Sequence, residues 1–177
     1  MSIKPVLKTR YSSWSELEKE IEKISDTTEK GDAFEQVCYF YFLYHKSLYQ
    51  IHEVFSSKIS GREIPKNIET KLKLSHKDDG VDGVFVTNDG KYTAYQSKFR
   101  SHTRCPSSNE LNNFWAEAEY ADNRLVIANC HSLPRDTGKR KSVSTVLVDK
   151  LDSLGDDFFE YLYNAANGIN SESKVHK

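Results

Sequence analysis

The stretch GVDGVFVTNDGKYTAYQSK, residues 80 to 98, decides how this chain is read. Val81 to Thr87 and Lys91 to Arg100 are rich in Val, Phe, Tyr and Thr, and Asn88-Asp89-Gly90 joins them, the composition of two strands and a tight turn. Both faces of this hairpin are apolar. Val84, Val86 and Ala94 fall on one and Phe85, Tyr95 and Phe99 on the other, as a sheet covered on both sides requires. Side chains alternate along a strand, so Gln96 and Lys98 share a face, and the length of the turn decides whether Asp82 joins them. A three-residue loop pairs Thr87 with Lys91 and sets Asp82 opposite Gln96, with Lys98 diagonally beside them. A two-residue Asp89-Gly90 loop sets Asp82 opposite Ser97 instead and sends the lysine to the other face.

Outward from the hairpin, helical spacing of Trp14, Leu17, Ile21 and Ile24 predicts an amphipathic helix over residues 13–24, with Ser13 or Ser15 as its N-cap. Gly31 to Leu48 reads as a second, more deeply buried helix, since Phe34, Val37, Cys38, Tyr41 and Tyr44 share a face and Phe40 and Phe42 leave little polar surface opposite. Tyr49 to Phe55 is a strand, and Ser56 to Asp79 has no legible pattern. A third helix is expected from Asn109 to Ala121, strands at Arg124 to Asn129 and Val143 to Val148, and a closing helix over Asp156 to Ala166. This order of elements predicts an α/β fold with a mixed β-sheet flanked by helices on both faces. With 177 residues, one domain over 1–170 is expected, its core at 31–166, followed by a disordered tail at 171–177.

Composition excludes several classes. At 37% apolar and 29% charged residues the chain is an ordinary globular one. No run approaches the ~18–20 apolar residues of a membrane helix, and the start MSIKPVLKTR has no secretory apolar run, so a cytoplasmic protein is expected. Cys38, Cys105 and Cys130 are too few and too irregular for a disulfide framework. His102-x-x-Cys105 with Cys130-His131 lacks the usual spacing of a zinc site. The formal net charge of −1 means that any nucleic-acid contact must come from local basic clusters. Three exist: Lys58 to Lys77, then Lys98 with Arg100 and Arg104, then Arg135 with Lys139 to Lys141. Taken singly, each is a solvated face as readily as a binding surface.

A carboxylate, an amide oxygen and an ammonium held together suit phosphodiester hydrolysis. Asp82 and Gln96, helped by a backbone carbonyl such as that of Ser97, are hard oxygen ligands for Mg²⁺, and Lys98 can orient a water and stabilise developing phosphoryl charge.

These residues closely resemble the PD-(D/E)XK nuclease superfamily, in particular its Mrr-like branch, in which the second acid is replaced and the motif reads Q-x-K. Asp82 in Gly80-Val81-Asp82-Gly83 matches the metal-binding aspartate, and Gln96 and Lys98 match the Q-x-K pair. Glu35 in Gly31-Asp32-Ala33-Phe34-Glu35 matches the glutamate of the preceding helix. The run from Ala94 to Phe99 is similar to the family's A-I-Q-x-K-F/Y, and the ending, with Val146 to Leu154 before Asp156 to Glu160, resembles nuclease domains at the N-terminus of large predicted helicases. The resemblance implies a restriction-endonuclease-like fold and a Mg²⁺-dependent deoxyribonuclease, with Mn²⁺ able to substitute. It also implies a metal site of Asp82, Gln96, the Ser97 carbonyl and Glu35, and catalysis by these side chains and Lys98. DNA is the implied partner, contacted by Lys73, Lys77, Arg100 and Arg104. A homodimer would suit double-strand cleavage, and a linked helicase module would suit the resemblance. The chain has no G-x-x-x-x-G-K-[ST] loop and is not itself a motor.

Other readings stand beside this one. Asp32 and Glu35 have the spacing of a capping box. Gln96 and Lys98 would serve equally as the polar face of a strand, and Asp82 as a turn residue. A catalytically inactive nucleic-acid-binding module of the same fold is the main alternative, and a helix from Phe34 to Tyr44 that packs on a partner protein is a third.

Overall fold

A computed structural model of the chain describes residues 1–75, 80–101 and 104–169. The hairpin has the longer of the two loops: Thr87 N–H donates to Lys91 O at 2.9 Å and Gly90 N–H to Thr87 O at 2.9 Å. Gly90 takes the left-handed conformation that closes this turn, with φ +81°. Strands β2 (Gly83–Thr87) and β3 (Tyr92–Lys98) pair antiparallel from Val86 with Tyr92 to Gly83 with Tyr95.

Strand β1 (Ile51–Ser56) adds antiparallel to the other edge of β2, with an irregularity between Ile51 and Glu53. Strands β4 (Asn123–Ala128) and β5 (Val143–Val146) add parallel beyond β3, giving a five-stranded sheet in the order β1-β2-β3-β4-β5. The sheet is therefore mixed, and it changes from antiparallel to parallel at β3.

Seven α-helices occur among the described residues, and they cover both faces. On one lie α1 (Trp14–Glu22), α2 (Thr27–Tyr44) and α7 (Asp156–Ala166), packed over Phe85, Tyr95, Leu125 and Ile127. Helix α2 is buried on every side from Asp32 to Phe42 because it sits between the sheet and the outer helices, which is why its sequence shows little amphipathic contrast. The Phe42 ring packs at a tilt against Tyr95 at 4.8 Å and Phe85 at 5.2 Å, so this aromatic helix packs on its own sheet and not on a partner. On the opposite face α4 (Lys66–Leu72) covers Phe55 and Val84, and α5 (Ser108–Glu117) covers Ala94 and Val126. Short helices α3 (Lys46–Tyr49) and α6 (Val148–Asp152) link larger elements.

Several expected boundaries move. Helix α2 starts at Thr27, not Gly31, because the Asp26 carboxylate caps it by accepting from Thr28 N–H at 2.8 Å and Glu29 N–H at 3.4 Å. Asp32 and Glu35 are thus interior helical residues, and the capping-box reading of that pair is wrong. The box that does form is Ser107 with Glu110, at the start of α5. The basic stretch after β1, illegible by pattern, contains α4. The segment expected as strand to Val148 leaves the sheet after Val146 and turns into α6. The N-terminal segment also belongs to the core: Leu7 is fully buried, and the Gln36 side chain bonds the Lys4 N–H at 2.8 Å and the Ser2 carbonyl at 2.8 Å. The tail at 171–177 lies outside the described residues.

Candidate active site

The ladder between β2 and β3 stops at Gly83 and Tyr95, and the site begins there. Asp82 N–H still reaches the Tyr95 carbonyl at 3.0 Å, and the Asp82 side chain then continues the pairing. Its Oδ2 accepts from Ser97 N–H at 2.7 Å and from Ser97 Oγ at 3.2 Å, the first of these taking the place of the next backbone acceptor on β2. The carboxylate is thereby held at the carboxyl end of β3. Because a strand residue turns its N–H and C=O to the same edge, the Ser97 carbonyl also faces this end, beyond the point where β2 has stopped.

Gln96 is buried, at 4% exposure. Its Nε2 donates to the Gly80 carbonyl at 2.7 Å, and since a carbonyl can only accept, the amide orientation follows from chemistry. The other end of the amide, Oε1, is buried with no hydrogen-bond partner among the described residues. Gly80 makes this arrangement possible. It has φ +122°, and a Cβ there would lie 2.9 Å from Phe114 N of α5. Gly83 is needed for a second reason, because the Tyr95 ring lies where its Cβ would be and donates its hydroxyl across β2 to the Phe55 carbonyl at 3.1 Å.

Helix α2 supplies the opposite wall. Asp32 and Glu35 are buried, and Lys58, in the turn after β1, sets its Nζ 3.3 Å from Asp32 Oδ1 and 4.0 Å from Glu35 Oε2. Gln36 anchors that turn by donating to the Lys58 carbonyl at 3.0 Å. Asp32, Glu35, Lys58, Asp82, Gln96, Ser97 and Lys98 all line one cleft of about 360 Å³. The acids act on the core behind them. Burial first, and then Glu35 and Asp82, push the Cys38 thiol well above its ordinary range, and burial with Cys38 and Asp82 does the same for the Tyr95 hydroxyl.

The geometry brings together every residue the sequence assigns to catalysis and metal binding: Asp82, Gln96, Ser97, Lys98 and Glu35. It does not gather the expected DNA contacts in the same way. The Ser107 N–H and then Arg100, ion-paired at 3.0 Å, hold the Glu110 carboxyl below the usual range, and the Arg100 backbone is clamped by buried Asn129 at 2.7 and 2.9 Å. Arg104 is exposed. Lys73 lies outside the cleft, with its Nζ 4.5 Å over the Tyr120 ring. Lys77 falls outside the described residues, as do His76, Asp78 and Asp79.

Asp32 and Lys58 are the site residues that sequence reading missed as such. Asp32 had a signal, its i, i+3 spacing from Glu35 on a helix with almost no other buried charge. Lys58 had none, since it arrives from another element. Cys105 and Cys130 do come together, both bonding to Ser132 at 3.4 and 3.3 Å, but no cluster of three His, Cys, Asp or Glu suited to a metal occurs among the described residues. The donor set at the cleft therefore depends on the Gln96 amide. An orphaned, buried Oε1 on a residue that shares its cleft with the Asp32, Glu35 and Asp82 carboxylates is the donor a hard divalent cation satisfies, so the residues present fit Mg²⁺.

The class defined by this architecture is the restriction-endonuclease-like fold, a mixed sheet flanked by helices. Among solved structures the chain is similar to the ATP-dependent Type ISP restriction-modification enzyme LlaBIII bound to DNA, with a TM-score of 0.57 and 17% identity over 81% of this chain. It spans only 8% of that protein's length. Weaker likenesses are to MspJI restriction endonuclease in complex with a 27-mer oligonucleotide (TM-score 0.34, 14% identity, 85% of this chain and 35% of that one). Another is to the DNA modification-dependent restriction endonuclease AspBHI (TM-score 0.35, 10% identity, 87% of this chain and 39% of that one). Neither a protein-family model nor a curated protein sequence matches the chain. No helix among the described residues is long and apolar enough to cross a membrane.

Proposed function

We propose that this chain is a Mg²⁺-dependent DNA endonuclease domain of the PD-(D/E)XK superfamily, in its Mrr-like Q-x-K branch. The observation that carries the reading is that Asp82, Gln96 with its unpartnered Oε1, and Lys98 line one cleft at the end of β3. Such a cleft at the carboxyl end of parallel strands is where open α/β sheets bind ligands.

Asp82, Gln96 Oε1, the Ser97 carbonyl and Glu35 would hold the ion, and Mn²⁺ would substitute. A bound Mg²⁺ supplies acidification of a water and neutralisation of phosphoryl charge. The chain's own groups do the rest. Ser97 N–H fixes the Asp82 carboxylate, and Gly80 fixes the Gln96 amide, so both are oriented before substrate arrives. Lys98, half-buried on the Gln96 face, would orient the attacking water through an N–H hydrogen bond and stabilise the charge that develops on a non-bridging phosphate oxygen. Lys58 holds the Asp32 and Glu35 carboxylates against the cleft in the free protein. Arg104 positions the DNA backbone, as does Arg100 once it exchanges Glu110 for phosphate. Pairing of two copies would allow double-strand cleavage, and a helicase module would be the natural covalent partner for a domain of this kind inside the cell.

The test is cleavage of supercoiled plasmid DNA with Mg²⁺ or Mn²⁺. Nicked or linear product from the wild type, lost in Asp82→Ala and in Lys98→Ala, is expected. Wild-type protein that binds DNA with a steep salt dependence yet never cuts it would instead identify an inactive binding module of the same fold.

A further inference from the structure

The third basic cluster, at residues 135–141, is not an isolated solvated loop. Its 3-10 turn (Arg135–Lys139) begins beside the first turn of α5, where Ser108 Oγ donates to Asp136 Oδ1 at 3.1 Å. That is the helix end that carries Glu110 and Asn113 at the rim of the cleft. The loop then runs along α5 to Trp115, about 10–11 Å beyond Ser108 at 1.5 Å per residue. There the Arg140 guanidinium stands 4.6 Å from the Trp115 ring centre and that of Arg124, from β4, 5.6 Å from the same centre. Arg124 donates to the Lys141 carbonyl at 2.9 Å, which ties the end of the loop to the sheet.

Two guanidinium groups share one indole and repel each other. Burial first, and then Arg140, hold Arg124 below the usual arginine range. Arg140 also keeps a buried Nε that has no partner among the described residues. Neither arginine, nor Arg135, Lys139 or Lys141, makes an ion pair with a described carboxylate. The indole face holds both guanidiniums in place, and an anion lying between them would offset their mutual repulsion.

We propose that Arg124, Arg135, Lys139, Arg140 and Lys141 form a phosphate track along α5 that carries the backbone of a DNA duplex from the Trp115 end to the cleft. The track rests on the nuclease reading of the cleft and adds the path by which substrate approaches it. It is a positioning surface: it touches phosphate and does not read bases.

The experiment measures binding of the full chain to a labelled DNA duplex about two helical turns long, by fluorescence anisotropy in EDTA between about 50 and 200 mM salt. Each phosphate contact removed should flatten the slope of log K against log salt by about 0.9. Arg135→Gln/Lys139→Gln/Lys141→Gln, all exposed positions, should therefore lose up to about 2.7 from the slope. Arg124→Gln/Arg140→Gln should lose up to about 1.8. A control of equal charge change on the opposite side, Lys8→Gln/Lys19→Gln/Lys46→Gln, should leave the slope within error. An unchanged slope in both track variants, or equal flattening in the control, overturns the track. If the wild type cuts and binds DNA while the track variants match it, only the track fails. If the wild type neither binds nor cuts duplex DNA, the nuclease reading fails with it.

Discussion

Replacing Gln96 by Met removes the amide at nearly constant side-chain volume, and the structure sets the expected balance. Oε1 is a buried acceptor without a donor, which costs about 1–3 kcal/mol, and the substitution removes that cost. It also removes the Nε2 bond to the Gly80 carbonyl, leaving that oxygen short of a partner at a similar cost of about 1–3 kcal/mol. The two changes nearly cancel, so the apo-protein should stay within about 1 kcal/mol of wild type, a Tm change of about 2–4 °C for a chain of this size. Metal response should differ sharply. At a Mg²⁺ or Mn²⁺ concentration of about 100 Kd, the wild type gains about 2.7 kcal/mol, a rise of roughly 5–11 °C. Loss of a direct ligand weakens binding by at least the ~10–100-fold seen for outer-shell partners. The same metal concentration then leaves the variant about 0.4–1.4 kcal/mol. Thermal unfolding with and without metal reads both quantities. A Met variant that is destabilised by more than about 3 kcal/mol without metal, or that keeps the full metal shift, would refute the argument and make Gln96 a structural residue.

Lys58→Met removes the ammonium set 3.3 Å from the Asp32 carboxylate and should cost up to about 3–5 kcal/mol, the range for a broken buried pair. Mg²⁺ should restore more stability to this variant than it adds to wild type, and thermal melts showing no such excess would contradict a cation site beside Asp32 and Glu35. Gly83→Ala drives a methyl group into the Tyr95 ring and the Phe55 carbonyl, and a loss of more than about 3 kcal/mol in urea unfolding is expected. Burial holds the His45 imidazole below its ordinary value against the opposing bond to the Tyr41 carbonyl. The unfolded chain then takes up a proton first as pH drops, so stability present above about pH 6.5 declines below it. His45→Gln should flatten that decline in a pH series of unfolding curves, and an unaltered slope would show that another group causes it.

The hairpin was legible because its turn chemistry and its two apolar faces agree on one register, and a single register fixes which side chains meet. Asp82, Gln96 and Lys98 lie within that hairpin, so local rules sufficed to bring them together. Helix α2 was legible as buried, but its start was not, since Asp26 caps it seven residues before the apolar run begins at Ala33. Lys58 and the Gln36 anchor were illegible because they join elements that no local pattern relates. The phosphate track was masked for a different reason. A net charge of −1 hides a basic surface when the acids, such as those from Asp149 to Glu160, sit elsewhere on the fold.

Several departures from local rules meet at one end of β3. Gly80 holds a backbone conformation closed to most residues, a buried amide oxygen has no donor, and a side-chain carboxylate replaces a ladder acceptor. Two acids on α2 are buried against a lysine from another element. Each is a cost that a sheet serving only as scaffold would not retain, and the apolar pairs a few residues back, Phe85 with Tyr95 and Val84 with Ala94, show that the same strands pack without strain away from this end. The costs share one remedy, because a divalent cation bound to a phosphate would satisfy the amide oxygen and offset the gathered carboxylate charge together. That common remedy favours a metal-and-phosphate site over a set of unrelated structural accidents.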